Sequence, residues 1–419
     1  MLSKLGARPN FSLEFIHETL DGTFLHPDSP FYHHRRENLV GNVNLAFGDV
    51  DISYNGHFTE QETGLQGNSP NFTSRITRDI FNRIETSITV SPLFVLSVKP
   101  KVDVTSILNR GANQEQYTEL VAAMEAQGEL LFDTFKASLS STYFFRQLFT
   151  NVAQSFSYPI HNIDTRMFAR WIISPDIRAE AYAGWHYSEM TGHLFPFNAT
   201  IAAKPLTFLT VTARGGYRLE PYTVSGLFEK HDYIGIPATV RDNHGWFLDL
   251  SLDFSLWQGA ALSIGTESMW NTHFAFPDVY NQSTGFYSIS QAETCTISPR
   301  WGFSWDVNKW LNLDLSWTGT YSAEGLFIPF NDAVLNVDFL SQSHSLGGGL
   351  TTRFTTGPDQ KPQPPLLDAA FFYRFQENVK LSAEAADILS LFMRTEPRYI
   401  AEPYEDIGFR FTIKIQINF

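Results

Sequence analysis

FRFTIKIQINF, residues 409–419, decides the fold. Phe409, Phe411, Ile413, Ile415, Ile417 and Phe419 alternate without a break with Arg410, Thr412, Lys414, Gln416 and Asn418. Side chains repeat every two residues along a strand, so one face of this segment is wholly apolar and the other polar or charged. Wound as a helix, the same residues would scatter their apolar groups around the whole circumference.

The pattern recurs upstream. Trp246, Leu248, Leu250, Leu252, Phe254 and Leu256 alternate with Phe247, Asp249, Ser251, Asp253 and Ser255. Leu311, Leu313, Leu315 and Trp317 alternate with Asn312, Asp314, Ser316 and Thr318. Short connections fall at residues 48–49, 91–92, 133–134, 175–176, 204–205, 258–259, 306–309, 341–343 and 376–378, the first a Gly-Asp hairpin turn. Long polar stretches separate them at 146–162, 220–245, 271–293, 322–331 and 389–407. Short turns alternating with long loops describe the two rims of a transmembrane antiparallel up-and-down β-barrel. The tally is about twenty strands, within a range of roughly 14–22, with both termini on the short-turn, periplasmic side. One barrel domain fills residues 1–419. A soluble all-β protein would explain the alternation, but not the unequal rims.

Composition agrees. Of 419 residues, 43% are hydrophobic and 15% aromatic but only 18% charged, against roughly a quarter charged in soluble domains. No apolar run approaches the ~20 residues of a spanning helix. Aromatic residues at strand ends, such as Trp185, Trp246, Trp257, Trp301 and Trp310, suggest girdles at headgroup level. The net charge of −14 argues against a nucleic-acid partner. Cys295 is the single cysteine and reads as a small apolar residue. Export needs a signal that Met1–Phe15 does not contain, so either the sequence is a mature or trimmed form or, the favoured alternative, the true start lies upstream.

Chemical signatures are sparse. No phosphate-binding glycine loop, G-x-S-x-G, H-E-x-x-H or C-x-x-C occurs, so no enzyme is expected. Asp249 and Asp253 share a strand face and could suggest acid–base work, but read better as hydrated carboxylates. His17, His26, His33 and His34 cluster in sequence, yet hydrated loop histidines are commoner than metal ligands, so neither metal nor cofactor is expected. The informative polar set is the inward face: Arg178, Glu180, Arg214, Arg218, Asp249, Asp253, Arg300, Asp314, Arg353, Asp368, Arg374, Arg410 and Lys414. Facing lipid at the bilayer midplane, each Arg or Lys would cost ~2–4 kcal/mol. Alternation sends them to the lumen.

The closing strand, with its terminal aromatic Phe419, resembles that of bacterial outer-membrane barrels, in which this residue is part of the signal read by the barrel-assembly machinery. The last fifty or so residues also resemble the end of TonB-dependent receptor barrels. The matching parts are Tyr373-Arg374-Phe375, the turn 376–378, the segment 388–392, Pro403-Tyr404 and the strand 408–419. That family carries an N-terminal plug and a segment touching an energy-coupling inner-membrane complex, neither visible before Phe11, and a barrel of about 22 strands. The resemblance implies nutrient uptake across the outer membrane. Its partners would be outer-membrane lipids, the assembly machinery, the energy-coupling complex and a small solute. Alternatives are a passive porin or hydrophobic-solute channel, and a surface adhesin or ligand-binding barrel; a barrel-embedded hydrolase stands far behind. A loop folded into the lumen would favour the passive channel, and 220–245 is the candidate by length.

Overall fold

The computed structural model describes residues 10–21, 33–112, 114–151, 159–231, 233–235, 240–322, 331–341, 345–356, 361–376, 379–392, 399–401, 404–405 and 408–418. Among these, twenty-two strands form one sheet, and two of them, Gly192–Leu194 and Tyr321–Ser322, are short offcuts. The remaining twenty make an antiparallel barrel in which nearly every strand pairs with its sequence neighbours. The first strand, Asn10–Asp21, closes it by pairing with the last, Arg410–Asn418, from Ser12↔Asn418 to Glu18↔Thr412. Closure leaves no edge of unpaired backbone groups, which is the condition for a sheet to stand in hydrocarbon.

One strand face is apolar and open to the surroundings around the barrel. Phe411, Ile413 and Ile415 are 48%, 49% and 46% exposed, and Leu248, Leu250, Ile80, Ile84, Leu335 and Phe371 are similarly bare. Burying such a side chain is worth ~1.5–3 kcal/mol, so a continuous exposed belt belongs in lipid rather than water. No helix among the described residues is long and apolar enough to cross a membrane; the strands form the wall.

The short rim carries two-residue turns at 48–49, 92–93, 175–176, 207–208, 258–259 and 309–310. Gly48 sits at φ +64°, where the absent Cβ removes the left-handed penalty. Sequence placed one turn at 204–205. There the strand runs on through Pro205 to Leu206, because a register shift between Ala203 and Leu206 absorbs the missing N–H. The strand Phe286–Asn308 runs into the expected turn at 306–309, and the turn itself falls at 309–310. The turns at 341–343 and 376–378 lie partly outside the described residues, as do His26, the loop 322–331 and Phe419.

One expected loop is trimmed at both ends by strand, and another is strand through most of its length. Phe135–Thr150 and Ile160–Ser174 take the two ends of 146–162, and residues 152–158 lie outside the described residues. The stretch 271–293 is the projecting end of a long hairpin, Ala260–Asn281 with Phe286–Asn308, which stays paired to Asn281↔Phe286. Register shifts after Asn271 and Pro277 break its alternation, and that is why it read as loop. The stretch 389–407 holds a 3-10 turn, Ile388–Leu391, and a small pair, Tyr399–Ala401 with Tyr404–Glu405. The hydrophobic core sits at the long-loop mouth, where Leu65, Phe72, Leu227, Phe228, Ile234, Phe286 and Tyr404 are buried together.

Candidate functional site

The charged residues expected on the inward face all lie on the strand parity opposite the exposed apolar belt. Several meet partners on the next strand or the one beyond it. Arg300 Nη2 reaches Asp249 Oδ1 at 2.6 Å, Lys414 Nζ reaches Glu384 at 2.7 Å and Arg353 Nε reaches Asp332 at 3.2 Å. Arg170 pairs with Glu180 at 2.7 Å and Arg218 with Glu267 at 3.3 Å. Arg214 lies 5.2 Å from the Phe247 ring, and Asp368 accepts from the Asp387 amide at 2.8 Å. Among the described residues, Arg178, Asp253, Asp314, Arg374 and Arg410 join no such pair. The set is spread around the wall from the ninth strand to the last and converges on no single point.

Convergence occurs on the other side, through residues the sequence did not single out. The segment 221–242 folds against the inner face of the fourth, sixth and seventh strands. Its helix, Val224–Lys230, starts at Thr223, whose hydroxyl accepts from Gly226 N at 3.1 Å. Glu119 of the wall, 3% exposed, accepts from Val224 N at 2.8 Å and Ser225 N at 3.3 Å. A carboxylate placed there satisfies amides that the helix itself cannot. Arg146 donates to Tyr222 O and lies 3.8 Å from Glu119. Asp242 accepts from Tyr222 N at 3.1 Å, drawing the two feet of the segment together.

Arg75 is the main fastener. It is 4% exposed, donates from Nη1 to Ile234 O at 2.7 Å and from Nε to Asn109 Oδ1 at 2.9 Å. Its guanidinium lies 3.8 Å from the Phe286 ring centroid and 4.8 Å from that of Phe228. A buried cation needs such partners to offset its lost hydration.

The long hairpin completes the cap. Gly235 N donates to Tyr287 O at 2.7 Å and Tyr287 N to Tyr233 O at 2.9 Å, welding it to segment 221–242. Its tip reaches residues 65–71, where Asn71 Nδ2 donates to Ser283 O at 2.6 Å and Tyr280 Oη to Asn68 O at 2.8 Å. The hairpin springs from the thirteenth and fourteenth strands, and 65–71 joins the third and fourth, ten strands away in a ring of twenty. It therefore spans the mouth from wall to wall. Tyr404 locks the crossing: fully buried, it stacks on Tyr233 at 3.7 Å and donates to Gly285 O. Burial pushes the Tyr404 phenol well above its ordinary value, and that of Tyr222 up to about 12. Only the length of 220–245 hinted at this cap, because its fastening contacts, such as Arg75 with Ile234 and Asn71 with Ser283, join residues 159 and 212 positions apart.

No family model and no curated protein sequence matches the chain. Solved structures do match in shape. The ferric enterobactin receptor PfeA of Pseudomonas aeruginosa aligns with a TM-score of 0.65 at 10% identity, over 99% of this chain and 81% of that one. The copper transporter OprC gives 0.71 at 9%, over 98% and 80%. The FrpB iron transporter of Neisseria meningitidis gives 0.70 at 7%, over 100% and 82%. At such identities the likeness is one of fold: a wide, closed antiparallel β-barrel.

Proposed function

We propose that the protein is an outer-membrane solute-uptake barrel of the TonB-dependent-receptor type, gated at its mouth. The observation that carries this reading is the cap, a packed core of three long segments fastened by buried Arg75 across a barrel too wide for side chains to fill. Eight strands enclose a packed interior and sixteen to eighteen an aqueous channel, so twenty enclose a path wide enough for a solute. The loops face outward, the short turns face the periplasm, and the inner charges from Arg178 to Lys414 line the path. The structural neighbours named for iron and copper carriage support uptake of a scarce small solute, with an inner-membrane complex supplying the energy. Outer-membrane lipids and the assembly machinery complete the set of partners, and catalysis has no part in it.

The second reading, a passive channel, draws on the same segment 221–242, since a loop lodged inside the wall can act as a constriction. Conductance in planar bilayers separates them. The gated reading expects no steady conductance from the intact chain and a large steady one once residues 221–242 are replaced by a short glycine-serine linker. A steady large conductance from the intact chain overturns it in favour of the passive channel.

A further inference from the structure

The far foot of segment 221–242 meets a buried imidazole. His186, on the strand Ile177–Ser188, is 1% exposed and stands opposite Asp164 on the strand Ile160–Ser174. We propose that His186, held between Asp164 of the wall and Asp242 of the segment, is a proton-operated latch that keeps this foot of the cap seated in acid and frees it as the pH rises. The proposal rests on the reading of the cap as a gate and adds its regulation.

Asp164 and Asp242 are as deeply buried as the ring between them. His186 Nδ1 lies 4.0 Å from Asp164 Oδ2, and Nε2 lies 3.7 Å from Asp242 Oδ2. Neither ring nitrogen makes a hydrogen bond, and neither does Asp242 Oδ2. A neutral imidazole carries one N–H and one lone pair. Whichever nitrogen holds the proton, the other turns its lone pair toward a carboxylate. Only the imidazolium presents an N–H to both. Closing each gap by about 1 Å then makes two charge-assisted hydrogen bonds, one to the wall and one to the cap.

The charges around the ring agree. Arg166 clasps Asp164, with Nε 2.9 Å from each carboxylate oxygen. Asp242 takes one neutral donor, Tyr222 N, and among the described residues its ion pair is the one with His186. With the ring neutral, the seated foot buries an uncompensated negative charge. With the ring charged, Asp164, Arg166, His186 and Asp242 sum to zero. A lifted foot returns Asp242 to water. Seating therefore takes up a proton, so its stability is full in acid and falls as the pH rises.

Other titratable groups surround the foot. Glu119 and Arg146, 3.8 Å apart, hold the segment from the sixth and seventh strands. Glu220 stands opposite Asn243 in the strand register. His244, two residues past Asp242, has Nδ1 2.6 Å from Tyr217 Oη and its ring 5.3 Å from that of His273. It is the nearest rival on the chain and serves as the control.

The test uses the full chain in nanodiscs. Amide exchange is measured from about pH 5 to about pH 9, and each rate is divided by that of an unstructured peptide at the same pH. Protection of residues 222–224 and 240–243 is expected to fall on the order of tenfold across that range, while the strand Leu311–Gly319 keeps its own. His186→Gln cannot take the proton and should flatten the profile. Asp242→Asn removes the buried charge, keeps an acceptor for Tyr222 N, and should flatten the profile at the protected level. His244→Gln should leave it unchanged. A flat wild-type profile overturns the proposal, as does protection that falls toward acid. A fall that His186→Gln or Asp242→Asn retains, or that His244→Gln abolishes, also overturns it, because another group then carries the switch. So does a profile that EDTA abolishes, since a bound cation then does the work. Should His186→Gln fail to fold, Asp242→Asn carries the decision, because a gain of protection at about pH 9 is not produced by damage. Planar-bilayer conductance is read separately. A steady current at about pH 5 with the foot protected loses the gated reading and leaves the latch, whereas a flat exchange profile in a non-conducting barrel loses the latch and leaves the gate.

Discussion

Replacing Arg75 with alanine should open the cap while leaving the barrel intact. The guanidinium caps the Ile234 carbonyl at 2.7 Å in a site where Ile234 is 1% exposed. Without it, that carbonyl loses its charged donor, at a cost of ~1–3 kcal/mol. The face of Phe286 loses a desolvated cation at 3.8 Å, worth about 2 kcal/mol more. The sum, roughly 3–5 kcal/mol, falls on the local opening of segment 221–242, because the strand ladders do not pass through Arg75's side chain. At about 1.4 kcal/mol per decade the open population should rise on the order of a hundred- to several-thousand-fold. Amide hydrogen exchange of the full chain in nanodiscs reads this directly. Exchange in 221–242 should accelerate by that factor while the strand Leu311–Gly319, on a remote part of the wall, stays protected. Arg75→Lys should fall between, keeping the charge but losing the planar fork. Unchanged exchange in 221–242, or equal acceleration around the whole barrel, would refute the assignment of Arg75 as the fastener.

Three further outcomes follow from the packing. Tyr404→Ala should loosen the cap by about 3–5 kcal/mol by emptying a fully buried aromatic site, and Tyr404→Phe by only about 0.5–1.5; limited proteolysis near residues 282–285 checks both. In alkali, the buried Tyr222 phenol ionises only near about 12, whereas a freed phenol does so near 10. Tyr222's share of the cap's stability should thus be full below pH ~10 and be lost progressively up to about 12. Tyrosinate absorbance followed alongside exchange would show this, and Tyr222→Phe should remove Tyr222's share of the loss. Leu250→Arg on the bare belt should cost ~2–4 kcal/mol in urea unfolding from lipid vesicles, while Ser251→Arg on the other face should cost little.

The barrel was legible because lipid outside and water inside act on single residues, so each strand carries its own record in alternation. Phe411, Ile413 and Ile415 need no partner to reveal their face. Legibility failed where backbone geometry intervened. Pro205 looked like a turn because proline usually breaks pairing, but a register shift accommodates it. The hairpin around Pro277 looked like a loop because its bulges change which parity faces outward. The cap was hidden for a different reason. Arg75 and Ile234 are 159 residues apart, and Asn71 and Ser283 are 212 apart. Nothing local in either member of such a pair announces the other. The inward charges could be assigned to a face, yet their individual partners, such as Arg300 with Asp249, depend on register and became visible only with the strands in place.

The hairpin anchored at both walls has a mechanical consequence. A hoop of twenty hydrogen-bonded staves is stiff along each stave and soft toward flattening into an oval. A tie beam across one diameter blocks the oval in which its two footings part, and leaves the perpendicular squeeze free. Cutting the beam at its Asn68 and Asn71 footing would restore the forbidden oval in one step.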